Sequence, residues 1–232
     1  MVRVLILKGN GINCENETAK AFMSKDTSVS IVHINELINN EYQLNDFDIF
    51  AIPGGFSYGD EIQSGKILAL KLKKYLAQDI NTFIAANKLI IGICNGFQIL
   101  TQLDLFTEKK RTCTLAHNKN EKFINKWQGL HVNTNSFWTK GFPAHYAMPV
   151  RHGEGRLVCS EELQAEQVLF RYDHDINGSI NQIAGITNLK GNVLGLMPHP
   201  EAALDPKLSP NNQMTHPLFK NAIAYIKENT NA

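Results

Sequence analysis

Cysteine is scarce in this 232-residue sequence: there are four, at positions 14, 94, 113 and 159, and none forms a C-x-x-C pair. That spacing excludes a zinc-ribbon or dithiol redox motif, and the density is far below that of a secreted disulfide scaffold. A reducing cytoplasm fits, where a lone cysteine remains a thiol. Long apolar runs are also missing. No stretch reaches the roughly 18 residues of a membrane helix, and Met1-Val-Arg-Val-Leu-Ile-Leu-Lys8 is too short for a secretory apolar region. Neither sign of charge dominates, with 23 Lys and Arg against 22 Asp and Glu. Such balance gives no electrostatic ground for nucleic acid or an anionic membrane as a partner. The small cluster Lys109, Lys110 and Arg111 reads as a solvated loop. No G-x-x-x-x-G-K-[ST] occurs, nor a G-x-G-x-x-G after a strand, so no nucleotide site is visible. Internal repeats, linkers and low-complexity tracts are absent too.

What is present suits one α/β domain over residues 1–232, with 43% hydrophobic residues to build a core. Val4–Leu7, Val29–Ile34, Ile49–Ile52 and Leu89–Ile93 are short apolar runs rich in β-branched residues, as expected of central parallel strands. Helices are expected between them over 15–24 and 63–87, and again over 96–103. The alternation predicts a doubly wound, mostly parallel sheet with right-handed crossovers. Segments 128–138, 145–150, 166–172 and 182–187 are separated by Gly, Asn and Asp clusters and are expected to add antiparallel strands at the sheet edge. Val193–Met197 reads as another compact strand, and 216–228 as a closing helix.

Three segments carry chemistry. In Gly92-Ile-Cys94-Asn-Gly96 a cysteine stands between two glycines after a strand, the pattern of a nucleophile elbow with sulfur in place of a hydroxyl. Such a turn lifts the side chain above the C-terminal edge of the sheet, where open α/β sheets bind ligands. The helix that follows offers free N–H groups to negative charge, and the N–H of Asn95 falls where an oxyanion would form. A cysteine of this kind is as well explained by burial, so the reading needs a base. Pro198-His199-Pro-Glu201 supplies one at the end of a strand. The two prolines hold the backbone, and the carboxylate two residues on can orient the imidazole. The third segment, Pro53-Gly54-Gly55, also follows a strand and lets backbone N–H groups approach a substrate closely.

Together, Pro53-Gly-Gly55, Gly92-x-Cys94-x-Gly96 and His199-x-Glu201 resemble the class I, or triad, glutamine amidotransferases, which have a flavodoxin-like sheet. The wording of Gly54–Asp60, Gly92–Gln98, His152-Gly-Glu-Gly155, Gly191–Glu201 and Gly11-x-Asn13-Cys14-Glu15 is similar to the glutaminases that serve the ATP-dependent amidation of formylglycinamide ribonucleotide in purine biosynthesis. The resemblance implies that Cys94 attacks L-glutamine and forms a thioester, that His199 moves the protons, and that Glu201 orients His199. It assigns the oxyanion hole to Gly55 and Asn95. It places Gln98, Gly54 and the segment Asn118–Phe123, with Asn118 and Phe123 at its ends, around glutamine. It implies no cofactor or metal on this chain. Ammonia would pass to a large synthetase subunit, where ATP and magnesium are expected, with a small bridging subunit between the two. The chain length fits a free-standing subunit.

The sequence departs from the family at Ala202, where arginine is usual, at Asn120 and Glu121, and at Arg151, where a small residue is expected. Cys14 matches a family cysteine and is read as a structural thiol. The rival readings are an amidotransferase subunit of another synthetase, a cysteine-elbow peptidase or chaperone-like protein, and a non-catalytic scaffold.

Overall fold

Apolar β-branched runs bounded by Gly and Asn become strands because their side chains pack well on a pleated surface buried on both faces. The computed structural model describes residues 1–60, 62–108, 112–210 and 215–230; the basic cluster 109–111 lies outside them. In chain order the regular elements are β1 (Val2–Lys8), α1 (Glu15–Phe22), β2 (Thr27–His33), α2 (Ile34–Ile38), β3 (Ile49–Ile52), α3 (Lys66–Tyr75), α4 (Ala77–Ala85), β4 (Leu89–Ile93), α5 (Asn95–Gln102), β5 (Cys113–Ala116), β6 (Ile124–Val132), β7 (His145–His152), β8 (Arg156–Cys159), β9 (Val168–Tyr172), β10 (Ile183–Thr187), β11 (Val193–Leu196) and α6 (Leu218–Thr230).

Nine strands form one sheet in the order β2-β1-β3-β4-β11-β10-β9-β6-β7. The first five are parallel and the remaining pairings antiparallel. The expected mixed sheet is therefore present, with 2-1-3-4 order at its parallel end. Moving outward from β1 and from β3 in opposite directions, right-handed crossovers send α1 and the α3–α4 pair to opposite faces. The core lies on both sides of the parallel strands: Val4, Leu5, Ile6, Leu7, Ile49–Ile52 and Leu89–Ile91 are fully buried.

Several expectations need correction. The single helix over 63–87 is two helices. Leu76 leaves the helical region (φ −127°), which keeps its side chain buried with Leu72 and Ile80. The segment 128–138 is a strand only to Val132. Beyond it, side-chain oxygens of Asn133 and Ser136 take the N–H groups of Asn135 and Trp138 and turn the chain. The short strands β5 and β8, and the one-turn helix α2, escaped the periodicity reading. In the two-stranded sheet Cys113 stands directly opposite Cys159, and a disulfide joins them. Forty-six residues separate the two in sequence, so only strand register brings them together. Cys14 and Cys94 are free thiols, the latter buried. No helix of the described residues is long and apolar enough to cross a membrane.

Candidate active site

The loops that follow β1, β3, β4 and β11 all leave the same, C-terminal edge of the parallel strands. At the elbow after β4, Cys94 adopts φ 51°, ψ −103°, before α5 begins at Asn95. Its N–H donates to Leu196 O of β11 at 2.8 Å, which ties the elbow to the strand that delivers the histidine. A left-handed φ is costly for a residue with a Cβ, so the surroundings must enforce it. They do so by close packing: a Cβ placed on Gly96 would run into the carbonyl of Ile52 on β3. Cys94 is only 6% exposed, and its Sγ–H points to the carbonyl of Arg151 at 3.5 Å.

The Pro198–Glu201 turn brings the imidazole of His199. His199 Nδ1 lies 2.6 Å from Glu201 Oε1, both side chains being buried. Burial alone would lower the pKa of His199, but the Glu201 carboxylate and the thiols of Cys94 and Cys14 outweigh it and hold the imidazole well above its usual range. Its other nitrogen, Nε2, makes no aligned hydrogen bond, and neither does Glu201 Oε2. The side chains that act on the ring from outside the turn are thus the two thiols. Nearby, His152 is driven the other way, down to about 4, by burial first and by His199 second.

The remaining predicted residues divide by how accessible they are. Gly54 packs directly beneath the base: a Cβ there would meet His199 Cε1 at 2.9 Å and Cys14 Sγ at 3.3 Å. Gly55 has φ 154°, and any side chain would strike the chain at Gly11–Asn13. The bonds of this turn run from Asn13 and Cys14 N–H to Gly54 O and from Phe56 N–H to Gly11 O, leaving the N–H of Gly55 outside them. Asn95 N–H opens α5 and has no carbonyl one turn back within the helix. Phe123 is 53% exposed and faces Phe56, with ring centroids 6.5 Å apart. A cleft of about 430 Å³ is lined by Asn13, Cys14, Gly55, Phe56, Cys94, Phe123, Asn125, Arg151 and His199. An adjoining hollow shares Gly55, Phe56, Cys94, Phe123 and Arg151 with this cleft and adds Gln98, His152 and Glu154 among others. A slightly larger hollow beside α3, about 460 Å³, is lined by Lys66, Lys73 and Asp104 and holds no free thiol or histidine; the chemistry belongs to the cleft.

Gln98 and Asn118, predicted to hold glutamine, have side-chain amides that are already occupied. Gln98 Nε2 donates to Glu154 O at 2.6 Å and its Oε1 accepts from Asn95 Nδ2 at 2.8 Å. Asn118 Nδ2 donates to Lys122 O and His152 O, and its Oδ1 accepts from Gly155 N–H. Both act as struts between loops, Gln98 joining the start of α5 to the loop after β7 and Asn118 tying its own loop to the end of β7. Asn95 does likewise, accepting from Ser57 N–H and donating to Asp60. Sequence reasoning did not anticipate Arg151, Asn125 and Phe56 at the cleft. Arg151 did carry a signal, as a large cation where the family has a small residue. Its guanidinium has no partner among the described residues, whereas its register mate Asn125 lines the same wall.

A thiol, an imidazole and a carboxylate converge at the C-terminal ends of the adjacent parallel strands β4 and β11, and this is the architecture of the triad glutamine amidotransferases. The sequence matches the CobB/CobQ-like glutamine amidotransferase domain over residues 1–226. It is 39% identical to the phosphoribosylformylglycinamidine synthase subunit PurQ of Methanococcus maripaludis, over 97% of this chain and 92% of that one. It is 36% identical to the same subunit of Picrophilus torridus, over 91% of each. Among solved structures it superposes on a chain of PurLQS from Thermotoga maritima with a TM-score of 0.78 at 32% identity, covering 100% of this chain and 99% of the other. The chain belongs to the PurQ family of glutamine amidotransferase subunits.

Proposed function

We propose that this chain is the glutaminase subunit of phosphoribosylformylglycinamidine synthase, acting as one amidotransferase domain over residues 1–232. The observation that carries the reading is the buried 2.6 Å pair of His199 and Glu201 beside Cys94 at the strand ends. In the proposed cycle His199 takes the thiol proton of Cys94, and the sulfur attacks the side-chain amide carbon of L-glutamine. The oxyanion that develops meets the N–H groups of Gly55 and Asn95. The proton held by His199 passes to the departing nitrogen, which leaves as ammonia and a γ-glutamyl thioester remains. His199 then takes a proton from water as the hydroxide adds to the thioester, and glutamate is released with the thiol restored. Glu201 keeps Nδ1 protonated and so leaves Nε2 for this traffic. Gly54, Gln98 and Asn118 support the loops of the cleft, and Phe123 walls it with Phe56.

Ammonia passes to a large synthetase subunit that converts formylglycinamide ribonucleotide to the amidine. ATP and magnesium act there, and a small third subunit bridges the two, by analogy with the Thermotoga maritima assembly. The setting we propose is the cytoplasm, where ATP is at hand. The test is reconstitution with the synthetase. Cys94→Ala should abolish glutamine-dependent amidine synthesis and leave ammonia-dependent synthesis within about twofold; glutaminase activity surviving the change would refute the assignment.

A further inference from the structure

Cys14 has no step in the proposed cycle, yet its thiol stands against the base. Cys14 Sγ, an imidazole nitrogen of His199 and a carboxylate oxygen of Glu201 all lie within 4.8 Å of one another. They come from different parts of the chain, the loop after β1 and the turn after β11, and converge beneath Gly54, which is small enough to let the thiol and the ring share one wall. Among the described residues, His199 Nε2 and Glu201 Oε2 are buried without an aligned hydrogen bond. Buried polar atoms are nearly always satisfied, so two orphans in one cluster call for an account.

The structure assigns to Cys14, His199 and Glu201 a second capacity: we propose that they bind a thiophilic divalent cation, zinc above all, which occupies the base and arrests hydrolysis. The donor set is one sulfur, one imidazole nitrogen and one carboxylate oxygen, which suits zinc and disfavours magnesium and calcium, whose ligands are oxygens. Charge also balances. A dication with one thiolate and one carboxylate is neutral, which a buried site tolerates far better than a net charge. Binding releases the thiol proton of Cys14, and the nitrogen that takes the metal gives up any proton it carries. The ion reaches the site through the cleft that Cys14, Cys94 and His199 line. The fourth position falls to water or to Cys94 Sγ, since Cys94 lines the same cleft as Cys14 and His199. An imidazole committed to a metal cannot accept the thiol proton, so inhibition follows.

The inhibition rests on the proposed glutaminase cycle, but the binding does not. Cobalt(II) is the probe, added to the full-length chain in a thiol-free reductant. One equivalent should give the near-ultraviolet thiolate-to-cobalt band and intense visible bands of a four-coordinate site, and zinc should displace it. Cys14→Ser should lose the thiolate band or weaken cobalt binding at least about 100-fold, and Cys94→Ser should keep the band. Cys14→Ala serves in its place should the serine variant misfold. Retention of the band in Cys14→Ser with loss in Cys94→Ser would overturn the proposal, because the metal would then sit on the nucleophile alone. Absence of any band in the unaltered chain would overturn it equally. In the second arm zinc inhibition of glutamine hydrolysis is measured, each protein normalised to its own metal-free rate. Cys14→Ser should raise the inhibitory zinc concentration at least about tenfold; an unchanged value refutes the link to inhibition. Should no protein hydrolyse glutamine at all, the glutaminase reading fails while the cobalt spectra still decide the site.

Discussion

Arg151 is the residue whose role the fold most changes. Its carbonyl lies 3.5 Å from Cys94 Sγ, the residue lines both hollows that Cys94 borders, and its guanidinium has no partner among the described residues. A glutamine with its amide at Cys94 places its α-carboxylate a few bonds away, within an arginine's reach. Arg151→Ala should raise KM for glutamine about 10- to 100-fold with kcat little changed, the effect of losing a charged hydrogen bond of about 1.5–3 kcal/mol; steady-state kinetics with an unmoved KM would count against it. His152 offers a test by pH. Its folded pKa of about 4 lies below the ordinary 6.5, so the unfolded chain takes up a proton first on acidification. The sign is therefore loss of stability as pH falls from about 6.5 toward 4, by at most about 3 kcal/mol. Urea midpoints across that range should fall less steeply in His152→Gln. His199 has the opposite sign, since its raised pKa favours the folded state below the ordinary value and the benefit is lost as pH rises through the folded one.

At the scale of elements, the elbow depends on how closely α5 approaches β3. Gly96→Ala places a methyl against the backbone carbonyl of Ile52, an obstacle that no side-chain rotation relieves. Overpacking of this kind costs about 1–3 kcal/mol, and the upper end is expected in chemical denaturation, with glutamine hydrolysis falling as the Cys94 turn is displaced. A change of less than about 0.5 kcal/mol would show that the strand yields. The inner strands β1, β3, β4 and β11 were legible because each is an apolar run buried on both faces, whereas the edge strand β2 is mostly half-buried or exposed; Ile49–Ile52 and Leu89–Ile93 stand where the sequence put them. β5 and β8 were not, because four residues such as Cys113–Ala116 offer too few alternations to detect and their partner lies far along the chain. The break at Leu76 was hidden for a related reason: apolar residues continue at helical spacing through it, and only the packing of Leu76 bends the chain.

For the whole molecule, the cleft and the side chains of Cys94, His199 and Glu201 all come from this one chain. A synthetase partner that activates the chain would therefore act on how these groups are placed rather than by supplying them. The isolated chain should hydrolyse glutamine at least about tenfold more slowly than the assembled synthase; equal rates in both would refute partner-dependent activation. The sequence by itself determined the parallel strands, the helices that alternate with them and the three segments that carry Cys94, His199 and Gly54-Gly55. Each is encoded locally, by periodicity, by glycines flanking a turn or by prolines around a histidine. Only the tertiary structure decided that Arg151 and Asn125 face the cleft, that Gln98 and Asn118 have their amides occupied, that Cys113 meets Cys159, and that Cys14 stands against the base. Those facts depend on register and on which distant loops share an edge, and no residue's nearest neighbours in sequence carry that information.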